Sequence, residues 1–182
     1  MEPIKVVVHG VFGKMGREAA DTISRQSELD LVGVASRSAE PGSYVLPDGS
    51  GVVPLSNRLD DVLEGANVVL DITSADGAMA AIRTATPHKI HVVTGSTGLD
   101  SSDLSEISRL SEEYQVGVIV TPNFAVGAVL MIHLANVAAR FFDYAELTEV
   151  HHEEKTDAPS GTALAIAQAA IQGRGTSFLA RG

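Results

Sequence analysis

Residues 4–16 read IKVVVHGVFGKMG, from Ile4 to Gly16. Ile4 to Val8 is a short β-branched run of the kind buried in a parallel sheet. It leads straight into Gly10, Gly13 and Gly16 and then into a helical pattern reaching about Arg25. Strand, glycine turn and helix in that order open a dinucleotide-binding unit. The glycines let the backbone come close to a pyrophosphate, whose charge is met by the unpaired N–H groups at the start of the helix. The spacing is G-x-x-G-x-x-G and not the commoner G-x-G-x-x-G, so the placement directly after a buried strand carries much of the reading. A glycine-containing turn that binds nothing is the plainer alternative.

Outward from this segment the chain alternates. A second strand is expected from Leu31 to Ser36, a third over Val68 to Ile72, a fourth over His91 to Thr94 and a fifth over Val116 to Val120. A helical stretch is expected after Ser74-Ala75-Asp76-Gly77, to about Ala85, and a helix from Ser101 to Tyr114, capped by Ser101 or Ser102. Strands alternating with helices imply a doubly wound parallel α/β sheet whose ligands sit beyond the carboxyl ends of the strands. Residues 39–58, rich in Pro, Gly and Ser, read as a loop with at most a short strand. The second strand ends in Ser36-Arg37-Ser38. An arginine flanked by hydroxyls suits the 2′-phosphate of NADPH, while Glu40 is near enough to hold the ribose of NADH instead.

After Asn123 the character changes: an apolar helix from Ala125 to Phe142, a strand from Ala145 to Val150, and a last helix from about Ser160 to Gln172. Between the last two lies HHEEKTDAPSGTALAIA, residues 151–167. His151 and His152 titrate near neutral pH, Lys155 is a cation, and Ser160, Gly161 and Thr162 open a helix whose first N–H groups favour an anion. Together they suit a small dianion that receives a proton. Taken alone, the histidines are a solvated strand end and Pro159-Ser160 is ordinary helix punctuation. Their spacing fits no metal site, and none is expected.

The 182 residues suffice for one full domain and part of another, and an apolar fraction of 45% can build a core. Absence of cysteine agrees with a reducing, cytoplasmic compartment. No targeting segment or membrane span is expected, since the first strand begins almost at Met1. A net charge of -10 argues against nucleic acid as the main partner. His9, beside the glycine turn, reads either as a cofactor contact or as a satisfied core or loop histidine.

Gly10-x-x-Gly13-x-Met15-Gly16, Asp71-Ile72-Thr73, Gly95-Ser96-Thr97-Gly98, Pro122-Asn123-Phe124 and Glu149-Val150-His151-His152-x-x-Lys155-x-Asp157-Ala158-Pro159-Ser160-Gly161-Thr162-Ala163 together resemble the dihydrodipicolinate reductase family of lysine and diaminopimelate biosynthesis. The resemblance runs in order from residue 4 to about residue 170. It implies a Rossmann-type doubly wound parallel sheet over residues 1–122 and a truncated α+β substrate-binding and oligomerisation domain over 123–182. It further implies reduction of a cyclic dicarboxylate by NADPH or NADH, in a homo-oligomer that is a tetramer at the family's full length. Carried over residue by residue, His151 takes the acid/base role and Lys155 that of the second catalytic residue. His152 holds substrate, and Gly161 with Thr162 binds a substrate carboxylate. The cofactor is lined by Gly10, Val11, Phe12, Gly13, Lys14 and Met15, by Gly95, Ser96 and Thr97, and by Thr121, Pro122, Asn123 and Phe124.

Three departures stand out. Ser96 occupies a position where the family usually has Thr. Arg37 stands in place of the usual acidic residue. Family members continue well past position 182, so the sequence reads as either a fragment or a natural shortened form, with a non-catalytic NAD(P)-binding module of the same fold as the second hypothesis.

Overall fold

The computed structural model describes residues 2–121, 123–151, 153 and 158–179. They fall into two compact units, 1–121 and 122–182.

In the first unit, β1 (Ile4–His9) turns at Gly10 into α1 (Lys14–Ser24) and returns as β2 (Leu29–Ala35). There follow β3 (Gly42–Val45), β4 (Val52–Ser56), β5 (Val68–Asp71), α2 (Ala75–Ala85), β6 (His91–Thr94), α3 (Ser101–Tyr114) and β7 (Val118–Val120). Among the described residues these strands make one seven-stranded sheet in the order β3-β4-β2-β1-β5-β6-β7. Every pairing is parallel except β3 with β4. The chain winds from β1 toward β2 and β4 on one side and then toward β5, β6 and β7 on the other. The crevice between β1 and β5 is therefore the switch point where such sheets bind ligands.

Val6, Val7 and Val8 show why β1 is central. All three are buried, yet neighbours on a strand face opposite sides. Val7 packs with Val69, Ile82, Val92, Ile107 and Leu110, beneath α2 and α3. Val6 and Val8 pack with Val11, Ala20, Ile23 and Val34, beneath α1. Each buried valine contributes about 1.5–3 kcal/mol, so a strand this apolar is stable only with helices on both faces.

Two expectations for this unit need correction. Residues 39–58 hold two strands where at most one short strand is expected: β3 and β4 pair as an antiparallel hairpin, with Gly42 opposite Leu55 and Val45 opposite Val52. The pattern is hidden because Pro54 and the flanking glycines interrupt it, and pairing with β2 at Val34–Leu55 supplies what alternation does not. The cap of α3 is Asp100, not Ser101 or Ser102. Its carboxylate accepts from the N–H of Ser102 at 2.7 Å and of Asp103 at 2.9 Å, while Asp103 accepts from the N–H of Asp100 at 3.0 Å.

The second unit contains α4 (Val126–Ala138), a 3-10 turn (Ala139–Phe141) and α5 (Gly161–Arg174). α4 and α5 pack together, and the Asn136 side-chain amide donates to the Ala169 carbonyl at 2.9 Å. The expected strand from Ala145 to Val150 does not form. A strand needs a partner strand, and no described strand pairs with this segment. α4 buries none of its residues, and Val126, Leu130, Met131 and Leu134 are exposed. No helix among the described residues is long and apolar enough to cross a membrane.

Candidate functional site

The first unit gathers three loops at the carboxyl ends of its central strands. In the first, Gly10 has φ +96°, the left-handed region that favours glycine. A Cβ on Gly10 would lie 2.5 Å from the Ile72 carbonyl oxygen, so the turn abuts the end of β5. Gly16 is packed just as closely: its Cβ would lie 2.1 Å from the Gly10 carbonyl oxygen. α1 therefore starts hard against the turn. Gly13 caps it with no side-chain hydrogen bond, so nothing on a side chain competes with a ligand for the first-turn N–H groups. A dinucleotide fits such a cradle.

Of the residues expected to line it, Lys14 and Met15 begin α1, and Phe12 and Met15 are exposed. Val11 differs: its side chain is fully buried in the core, leaving only backbone for a ligand. Arg37 lies exposed in the turn after β2, with no hydrogen bond or ion pair among the described residues. Ser36 and Ser38 flank it, their hydroxyls 3.4 Å apart.

The second and third loops meet at Asp71, a motif residue to which sequence reasoning gave no role. Asp71, last residue of β5, is fully buried. Its Oδ1 accepts from His9 Nδ1 at 2.8 Å and Thr73 Oγ1 at 2.7 Å. Its Oδ2 accepts from Thr94 Oγ1 at 2.8 Å and Ser96 Oγ at 2.7 Å. Burial pushes the carboxyl up, but the bonds from His9, Ser96, Thr73 and Thr94 outweigh it and hold it below the usual carboxylate range. His9 is thus a satisfied histidine at the rim. Gly95, Ser96 and Thr97 form the loop after β6; Ser96 is buried and Thr97 exposed. Thr121, just beyond β7, donates its N–H to the Thr94 carbonyl at 2.9 Å.

In the second unit the polar cluster centres on Glu149. Its Oε2 accepts from His151 Nε2 at 2.9 Å and from Ser160 Oγ at 2.5 Å, and its Oε1 accepts from the Ser160 N–H at 2.8 Å. Ser160 Oγ in turn caps α5, accepting from the Ala163 N–H at 3.1 Å. Asn123 Nδ2 donates to Thr162 Oγ1 at 3.1 Å, and Asn123 Oδ1 accepts from the Ala125 N–H at 2.8 Å. Phe124 is exposed. His151, Gly161, Thr162 and Asn123 therefore belong to one neighbourhood of α5's N-terminus. Pro122, His152 and Lys155 lie outside the described residues.

Glu149 orients the imidazole. An ionised carboxylate only accepts, so Nε2 of His151 is the nitrogen that donates to it. The Ser160 hydroxyl, the His151 imidazole and the Ser160 N–H hold the Glu149 carboxyl at about 2, against an ordinary 4.5. A carboxyl held low stabilises the folded state above its ordinary value and loses that effect as pH falls through the folded value. The loss should fall between about pH 4.5 and 2. Melting temperatures measured from pH 6 down to pH 2.5 are expected to fall more steeply for the wild type than for Glu149→Gln. Parallel curves would show that these bonds do not form.

Models of the N-terminal and C-terminal parts of dihydrodipicolinate reductase match residues 4–124 and 127–180. The chain belongs to this family. The 4-hydroxy-tetrahydrodipicolinate reductases of Dehalococcoides mccartyi strains are 44% to 47% identical to it over 180 residues, spanning 98% of this chain and 68% of those proteins. Dipicolinate-bound dihydrodipicolinate reductase from Paenisporosarcina sp. TG-14 is 32% identical with a TM-score of 0.79, over 98% of this chain and 69% of that one. Scyllo-inositol dehydrogenase from Lactobacillus casei, solved with NAD(H) and scyllo-inositol, has a TM-score of 0.55 over 75% of this chain and 42% of its own. At 16% identity it shows a shared fold alone.

Proposed function

We propose that this chain reduces 4-hydroxy-tetrahydrodipicolinate to tetrahydrodipicolinate with NADPH or NADH, in the cytoplasmic synthesis of lysine and diaminopimelate. Residues 1–122 act as the dinucleotide-binding domain, and 123–182 belong to the domain that binds substrate and builds an oligomer. The observation that carries this reading is the cluster at α5: a carboxylate-oriented His151 beside a capped helix N-terminus, in a chain of this reductase family. The dipicolinate bound by the Paenisporosarcina relative supports a cyclic dicarboxylate as the ligand class.

The nicotinamide cofactor, when bound, supplies the hydride. Gly10, Gly13 and the start of α1 hold its pyrophosphate, together with Val11, Phe12, Lys14 and Met15. Gly95, Ser96, Thr97, Thr121, Pro122, Asn123 and Phe124 are assigned as further cofactor contacts. Arg37 faces the ribose end and favours NADPH through a 2′-phosphate. Gly161, Thr162 and His152 hold the substrate carboxylates, where the first N–H groups of α5 favour an anion. His151 delivers or accepts the proton that accompanies reduction, and the Lys155 ammonium offsets the negative charge that builds on the ring. The exposed apolar residues of α4 favour assembly with further copies of the chain.

Calorimetry with NADPH, NADH and pyridine-2,6-dicarboxylate, paired with a reductase assay, tests the whole reading. Cofactor binding, tighter dicarboxylate binding in its presence, and cofactor oxidation on adding substrate are expected. Cofactor binding without turnover would favour a non-catalytic NAD(P)-binding module, a reading to which the exposed apolar face of α4 lends support. Absence of cofactor binding would overturn both.

A further inference from the structure

Asp71 is the only charged side chain among the buried described residues. Ionised carboxylates are costly to bury, by several kcal/mol even after relaxation, and tying three strands together does not require one. This one stands at the ligand rim and not in the middle of the core, which is where buried charges serve a site.

The register of the sheet explains how it is held. His9 is the partner of Asp71 across β1 and β5, and Asp71 is the partner of Thr94 across β5 and β6. The last residues of three neighbouring strands thus form one row, with the carboxylate in the middle. Its four acceptor positions are met by four donors from His9, Thr73, Thr94 and Ser96. Each hydroxyl commits its single proton to Asp71, so its oxygen is left as an oriented acceptor. Ser96 Oγ accepts from the Thr73 N–H at 2.9 Å, and Thr94 Oγ1 accepts from the Ser96 N–H at 3.1 Å. The loops after β5 and β6 are therefore locked to one another through the carboxylate, and His9 ties the residue before Gly10 to the same point.

We propose that Asp71 is a positioning residue that, through His9, Thr73, Thr94 and Ser96, sets the loops beneath the nicotinamide half of the cofactor and so determines preference for the whole dinucleotide over an adenine nucleotide. The proposal rests on the reading of the first unit as a nicotinamide dinucleotide domain. In a sheet of this winding the glycine turn meets the pyrophosphate and the end of β2 meets the adenosine ribose, so the other half of the cofactor lies over β5 and β6. The Asp71 row is on that side. Loss of one of its bonds should disturb nicotinamide binding and spare the adenosine end.

Thr94 is the position at which to test this, because it is fully buried and reaches a ligand only through its neighbours. Thr94→Val removes the hydroxyl and keeps the shape; Thr94→Ser keeps the hydroxyl; Asp71→Asn removes the charge. NADH binding is read by the fluorescence of its nicotinamide, and ADP binding by calorimetry. Thr94→Val and Asp71→Asn are expected to weaken NADH about tenfold, with reduced fluorescence of the bound nicotinamide, while ADP affinity stays within about twofold. Thr94→Ser is expected to keep the wild-type ratio of the two affinities. Equal weakening of NADH and ADP, or no change in either, would overturn the inference while leaving the cofactor reading intact. If Asp71→Asn fails to fold, the two Thr94 variants decide. Wild-type protein that binds neither NADH nor ADP would overturn the cofactor reading and this inference with it.

Discussion

Gly16→Ala is expected to destabilise the protein by about 2 kcal/mol or more and to weaken NADPH binding at least about tenfold. On helix propensity alone the change would be favourable, by about 1 kcal/mol, since Gly16 is the third residue of α1. Packing opposes it. The new Cβ would lie 2.1 Å from the Gly10 carbonyl oxygen and 2.8 Å from Val11 Cα. All of these are backbone atoms, so no side-chain rotation relieves the overlap, and the first turn of α1 must move away from the cradle. Overpacking commonly costs about 1–3 kcal/mol, and a backbone obstacle puts this case at the upper end. The displaced turn then presents its N–H groups in the wrong place for a pyrophosphate. Gly13→Ala is the control. Its φ is -69°, open to any residue, and its Cβ would stand 3.3 Å from the Gly10 carbonyl oxygen. It should cost about 1 kcal/mol at most, the usual loss at a cap. Thermal melts with NADPH titrations measure both effects, and a Gly16→Ala protein as stable as the Gly13→Ala control would refute the packing described for α1.

The second large effect concerns turnover. His151→Gln should lower kcat by roughly a hundred- to ten-thousand-fold with KM little changed, the range set by loss of a positioned proton donor. Glutamine can still donate toward Glu149, so the cap of α5 through Ser160 should survive, but it neither takes up nor releases a proton. On the proposed assignment, Lys155→Ala should also act mainly on turnover, since loss of a cation at the ring would leave developing charge unmet. Steady-state kinetics on purified, folded variants decides, and wild-type rates in both would end the acid/base assignment.

Much of the first unit could be read from short segments. The valine run of β1, the glycine turn and the alternation of strands with helices each report on themselves, because burial on both faces and left-handed backbone leave marks on adjacent residues. The hairpin of β3 and β4 was not readable in this way. Its strands are held by pairing with each other and with β2, and its own composition resembles a loop. The segment from Ala145 to Val150 is the converse case: it has strand composition, but no strand forms without a neighbour.

The site divides along the same line. Sequence alone determined that a glycine cradle opens the chain and that His151, Lys155 and the Pro159-Ser160-Gly161-Thr162 turn occur together, since these are patterns of residues close in the chain. Only the tertiary structure decided what Asp71 and Glu149 do. His9 and Asp71 are 62 positions apart, and Glu149 and Ser160 are 11 apart. A carboxylate's role depends on which donors surround it and whether water is excluded. Those are properties of the folded sheet's register and of the helix end, not of the residues next to it in sequence.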